Sequence, residues 1–140
     1  LAGGAMLVAA VLIPVPARTE PADVDASVAD LFGDRPVRSG RVDMKVPAIS
    51  ENGYSVTLSV EVDSPMTVDD HVVRIAVFAE ANPLPDVVRF ELGPRAGRAR
   101  VQTRFRMADS QKIRAIAEMS DGSLWSAESF VVVTLAACVV

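Results

Sequence analysis

The sequence predicts an all-β domain: an immunoglobulin-like β-sandwich of about seven strands with a short N-terminal helix. Three observations carry that expectation. From residue 41 onward, apolar and polar side chains alternate with a period of two, the signature of strands with one buried face. The alternating runs are short, and Gly, Pro, Asn and Asp cluster between them at the intervals of sandwich turns. The chain has 140 residues, 50% of them hydrophobic, with nine prolines and eight glycines, which suits one turn-rich domain around one core. The same composition excludes several functions. Fourteen basic against 18 acidic side chains leave a net charge of -4, the wrong field for a nucleic-acid binder. One histidine and one cysteine exclude zinc fingers, His-rich metal sites and an internal disulfide framework.

Taken in order, residues 1–17 carry no charge, and the unbroken apolar stretch before Pro14 is thirteen residues. A bilayer span needs roughly 20. Val15-Pro16-Ala17 fits the small-x-small pattern of signal peptidase cleavage. The segment therefore reads as a signal-peptide remnant, the alternatives being a buried N-terminal strand or a membrane anchor. Export places the mature protein in an oxidising compartment, with no stable membrane insertion once the signal is removed.

Residues 18–40 read as a helix and linker. Val24, Val28, Leu31 and Phe32 fall on one helical stripe closed by Gly33. The domain proper is expected over residues 41–135. Val42, Met44 and Val46 alternate with Arg41, Asp43 and Lys45, and Val56, Leu58, Val60 and Val62 alternate with Thr57, Ser59 and Glu61. Strands are expected over 72–79 and 87–91, separated by the turn-prone Asn82-Pro83-Leu84-Pro85. A strand over 98–107 follows the Gly93–Gly97 break. Next come 112–119, an Asp121-Gly122 turn and a final run over 131–135.

Candidate chemistry is sparse. Arg98, Arg100, Gln102, Arg104 and Arg106 share one face of their strand, opposite Ala99, Val101, Thr103, Phe105 and Met107. That face either docks an acidic partner or attracts an anionic substrate, or is a solvated face paired with acids such as Glu80 and Glu91. The second is the expected reading. Glu61, Asp63, Asp69 and Asp70 surround Ser64-Pro65-Met66 without EF-hand spacing and read as loop solvation. His71 could activate Cys138 only if the fold brought them together. Trp125, Phe130 and Tyr54 read as core or edge aromatics. Cys138 is third from the end of the sequence. In an exported protein a lone thiol is either packed and inert, or presented near a projecting terminus, and composition leaves both open.

Several stretches tip the balance. Ile49-Ser50-Glu51-Asn52-Gly53, Val60-Glu61-Val62-Asp63-Ser64-Pro65-Met66-Thr67, Phe78-Ala79-Glu80 with Asn82-Pro83-Leu84-Pro85, Ala117-Glu118-Met119-Ser120-Asp121-Gly122-Ser123-Leu124-Trp125 and Val133-Thr134 resemble the SoxY family of sulfur-oxidation carrier proteins. The similarity runs from about residue 24 to 135. The leading segment resembles the hydrophobic part of that family's twin-arginine export signals.

The resemblance implies an immunoglobulin-like sandwich that pairs with SoxZ in the periplasm and is no enzyme itself. It implies cargo carried covalently on one cysteine within a Gly-Gly-Cys-Gly-Gly tail. SoxAX couples thiosulfate to that thiol, SoxB hydrolyses off sulfate, and SoxCD oxidises the remaining sulfur. No cofactor is implied for this subunit, since haem, manganese and molybdenum belong to its partners. By position, Cys138 matches the carrier cysteine, and residues 136–140 the tail. The four glycines are replaced by Ala136, Ala137, Val139 and Val140, which restrict the backbone and thicken the arm. The expected function is a sulfur carrier; the alternative is a pairing paralogue with an inactive arm, its thiol hidden in a continuing strand.

Overall fold

The apolar stripe at 24, 28, 31 and 32 forms α1 (Val24–Phe32) in the computed structural model, which describes residues 2–5, 8–14 and 23–137. Asp23 caps its start by accepting the Ala26 N–H at 3.1 Å. Gly33, at φ 71°, ends it and donates to the Ala29 carbonyl, as the sequence predicts. Val28 and Phe32 are buried against Ala76, Phe78, Ile116 and Leu124, so the helix covers the outer face of a sheet. Arg35, just beyond it, donates to the carbonyls of Phe32 and Gly122 and pairs with Glu118, tying the helix end to a hairpin turn.

Nine strands follow among the described residues: β1 (Val37–Ser39), β2 (Val42–Lys45), β3 (Ile49–Ser50), β4 (Val56–Val62), β5 (Val72–Ala79), β6 (Asp86–Glu91), β7 (Arg100–Phe105), β8 (Gln111–Met119) and β9 (Leu124–Val133). The larger sheet has the order β1-β9-β8-β5-β6, with β3 also on β9; the smaller has the order β2-β4-β7. The architecture is the expected all-β sandwich with one short helix. Between the layers lie Val56, Leu58, Val60 and Val62 from β4, facing Ile75, Val77, Ile113, Ala115 and Val131. Each of the valine, leucine and isoleucine side chains stabilises the fold by about 1.5–3 kcal/mol when fully buried.

Two strands beyond the expected seven or so are β1 and β3. They contain three and two residues and pair in parallel with β9, too short to leave a periodic signal. β1 lies within the stretch read as linker.

The last strand also differs from expectation. It spans Leu124–Val133 rather than 131–135, because its outer face changes surroundings along its length. Leu124 is buried against α1 and Ser126 beside β1, whereas Glu128, Phe130 and Val132 on the same face are exposed, so no single hydropathy pattern runs through it. The Asp121-Gly122 turn joins β8 to β9, with Gly122 at φ 85° and Asp121 accepting the Ser123 N–H at 2.9 Å.

In the leading segment Val8, Val11, Leu12 and Ile13 are exposed and outside regular structure. Val15-Pro16-Ala17 lies outside the described residues. No helix among those described is long and apolar enough to cross a membrane.

Candidate functional site at the root of the tail

β9 carries the chain toward Cys138, so its exit from the sandwich is where any function of the tail must be built. The exit is stitched down residue by residue. Val132 donates to the Ala48 carbonyl at 2.9 Å and Thr134 to the Ser50 carbonyl at 3.0 Å, extending the β3 pairing. Gly53 then donates to the Leu135 carbonyl at 2.8 Å, and Ala137 donates to the Met107 carbonyl at 3.0 Å. Met107 in turn donates to the Gly53 carbonyl at 2.8 Å, which closes a ring of backbone bonds among three segments. Ala137 is 5% exposed, whereas Ala136 and Leu135 stand in solvent. Cys138, Val139 and Val140 lie outside the described residues.

Gly53 is the residue that permits this closeness. A Cβ added there would stand 2.7 Å from the Met107 carbonyl oxygen, 2.8 Å from the Ala137 nitrogen and 2.9 Å from the Leu135 carbonyl oxygen. All three are backbone atoms, which have no rotamer to yield. The preceding Asn52 shapes the loop by accepting the Tyr54 N–H on its own side chain at 2.9 Å.

The other wall is held from beneath. Asn82 and Gln111 are buried polar residues, and their amides satisfy one another and the loop between β7 and β8. Asn82 donates to the Arg106 carbonyl at 2.8 Å and accepts from Ala108 at 2.9 Å. Gln111 donates to Asn82 Oδ1 and to the Asp109 carbonyl, each at 2.9 Å, and accepts from Ala81 at 2.8 Å. Ser110 reaches over to β9, its hydroxyl accepting the Val133 N–H at 2.8 Å. A satisfied buried network of this kind fixes one conformation. Chemically, the root supplies position; the cysteine beyond it supplies the only thiol in the sequence.

The other candidates lie elsewhere. His71 precedes β5 at the end of the sandwich where its carbonyl accepts from Ser120, and its Nδ1 stands 3.0 Å from the Thr67 carbonyl oxygen. The tail root is at the opposite end, beyond Gln111, so the nine residues of β8, about 27 Å at the usual strand rise, separate the two. His71 is therefore no activating base for a thiol next to Ala137.

The acids at 61, 63, 69 and 70 occupy the His71 end. There Arg41 donates to the Asp63 carbonyl at 2.9 Å, and Arg41, Asp43, Glu61, Asp63 and Arg98 line an open groove of about 580 Å3. Among the described residues, no three metal-ligating side chains come together.

The arginine face is confirmed as a face: Arg98, Arg100, Gln102, Arg104 and Arg106 are all exposed while Ala99, Phe105 and Met107 are buried. Its expected acids are not Glu80 and Glu91, however. Glu80 accepts the Lys112 N–H and Glu91 pairs with Arg74. β7 runs beside β4, so its acid is Glu61, 2.5 Å from Arg98 and opposite Arg100 in register. The Arg98 hydrogen bond holds the Glu61 carboxyl below the usual carboxylate range. Alternation shows which side chains share a face; it does not show which strand lies alongside.

The aromatics stand at edges. Trp125 is half-buried, with the guanidinium groups of Arg41 and Arg38 at 5.5 and 5.8 Å from its ring. On the outer face of β9, Phe130 and Val132 are 59% and 41% exposed, and Ile49, in register with Val132, is 64% exposed. These three form an apolar patch on β9 and β3, and Leu135, two residues beyond β9, is 60% exposed. Gly53 and the Asn82–Gln111 pair had no role assignable from sequence. An Asn-Gly dipeptide reads simply as a turn, and the close approach that demands glycine is tertiary.

Comparison with known proteins places these features in context. A family model described as sulfur oxidation protein SoxY matches residues 28–138. Among solved structures, the sulfur carrier protein SoxY from Chlorobium limicola f thiosulfatophilum is 30% identical, with a TM-score of 0.67, covering 79% of this chain and 96% of that one. A superoxide reductase (neelaredoxin) from Ignicoccus hospitalis superposes with a TM-score of 0.59 at 18% identity, over 66% of this chain and 78% of that one. A second putative superoxide reductase, from Thermotoga maritima, gives 0.58 at 20% identity, over 71% and 93%. These two likenesses show the shared sandwich fold alone. No match is found among curated proteins.

Proposed function

The chain belongs to the SoxY family of sulfur oxidation proteins, and from that premise we propose that it is a covalent sulfur carrier whose cargo is held on Cys138. The observation that carries the proposal is the extent of the family match, which runs through residue 138 and so includes the one cysteine of the sequence. The protein performs no turnover alone; it presents a thiolate to partner enzymes. In loading, the Cys138 thiolate and the outer sulfur of thiosulfate form an S–S bond, and two electrons pass to the haems of SoxAX. In unloading, water attacks the terminal sulfonate sulfur with SoxB, sulfate leaves with release of two protons, and a persulfide anion remains on the cysteine for SoxCD.

The exposed patch of Ile49, Phe130 and Val132 supports a stable partner, for which SoxZ is the proposed occupant. The periplasm is the proposed compartment, supported by the uncharged leading segment. A second reading has its own observation. Ala137 is buried and hydrogen-bonded, and Ala and Val stand where glycines are expected, as in a pairing subunit that no longer loads.

Intact mass spectrometry of the protein co-expressed with SoxZ and incubated with thiosulfate and SoxAX separates the two. A reductant-sensitive thiosulfonate adduct, absent in Cys138→Ala, is the expected result. An unmodified mass beside a glycine-tailed SoxY that loads normally would leave the pairing-subunit reading.

A further inference from the structure

We propose that Gly53 is the positioning residue of the tail root: through its contacts with Met107, Leu135 and Ala137 it fixes the chain as far as Ala137, the residue next to Cys138. What this fixing is for rests on the carrier reading; that it occurs does not. Three observations carry it. Gly53 uses both backbone groups within the root, its N–H on Leu135 and its carbonyl on Met107. Met107 uses its own carbonyl on Ala137, so release of Gly53 frees both walls at once. The space for a side chain at 53 is already occupied by three backbone atoms at 2.7–2.9 Å, closer than a Cβ tolerates. Gly53 does not stand in the left-handed region, so its requirement is for room rather than for backbone conformation.

The consequence is a short tether. Successive Cα atoms are about 3.8 Å apart, and residue 138 follows directly on the anchored Ala137. While the root is closed, the chain is therefore held as far as Ala137. An enzyme acting on the cysteine beyond Ala137 must work against this held root, or the root must open first.

The test compares Gly53→Ala with Val60→Ala, a core truncation in β4 that leaves the root intact. A third variant, Ala137→Pro, removes the N–H given to Met107 at a position beyond the last strand. Amide hydrogen exchange at Ala137 and Gly53 and the iodoacetamide rate at Cys138 are read together, with melting temperature as the fold control. In Gly53→Ala the Ala137 amide should exchange at least about tenfold faster, and in Ala137→Pro the Gly53 amide should do so. Cys138 should alkylate several-fold faster in both, and Val60→Ala should lower the melting temperature while leaving these rates alone. Equal effects in Val60→Ala, or unchanged rates in Ala137→Pro, would overturn the proposal. Neither readout needs cargo, so a chain that never loads thiosulfate sinks the carrier reading and leaves this one standing. A chain that loads but shows unchanged exchange does the reverse.

Discussion

Gln111 donates its side-chain amide to Asn82 Oδ1 at 2.9 Å in the buried end of the sandwich, and the pair supports the loop to which Ala137 is hydrogen-bonded. Replacing Asn82 by Ala strands the Arg106 carbonyl and the Ala108 N–H. An unpaired buried group costs about 1–3 kcal/mol, and these two are part-buried, so Asn82→Ala should lose roughly 1–3 kcal/mol in urea denaturation. A change within about 0.5 kcal/mol, the range of an ordinary surface substitution, would mean that the network bears no stress.

The helix over the outer face gives a graded pair. Asp23→Ala removes the cap on the Ala26 N–H and should cost about 1 kcal/mol. Phe32→Ala empties a site only 3% exposed between α1 and the sheet and should cost about 3–5 kcal/mol. Equilibrium unfolding of both checks the ratio, and near-equal losses would contradict the packing assigned to Phe32.

Glu61 supplies a pH prediction. Its carboxyl is held low by the Arg98 hydrogen bond, so its contribution is present above its unfolded pKa and is lost as pH falls through the folded one. Arg98→Ala should move the Glu61 titration upward toward the ordinary carboxylate range, as read by carboxyl-carbon NMR. Because the pair is at the surface, melting at neutral pH should barely change. A Glu61 titration that stays in place would assign its low value to another neighbour.

Pairing can be tested apart from loading. Phe130→Ser with Ile49→Ser should leave monomer stability within about 0.5 kcal/mol, since both side chains are already largely in water. The same double variant should weaken association with SoxZ by tenfold or more in sedimentation or calorimetry, as removal of buried interface anchors does. Undiminished affinity would place SoxZ on another face.

Legibility in the sequence followed physical locality. β4 was plain because Val56, Leu58, Val60 and Val62 face one core while Thr57, Ser59 and Glu61 face away, and α1 because its stripe and terminating glycine are local. β9 was partly hidden because Ser126 and Phe130 occupy one face under different cover. β1 and β3 were hidden because their pairing partner lies more than 80 residues away in sequence, in register at Val37 with Leu124 and Ile49 with Val132. At the candidate site, Cys138 could be chosen by its uniqueness and family position, but Gly53 owes its role to Leu135 and Ala137, which only folding brings near.

β9 joins two ends of the function that the sequence reads as separate. Phe130 and Val132 stand on its outer face, and five residues beyond Val132 the chain reaches Ala137, about 17 Å at full strand extension. On the proposed carrier reading, a partner seated on those side chains would hold the strand that leads to Ala137, next to the cargo cysteine. It would need no moving part to influence delivery: its bulk beside the root would decide from which quarter an enzyme arrives, so that pairing and client selection would become one geometrical event.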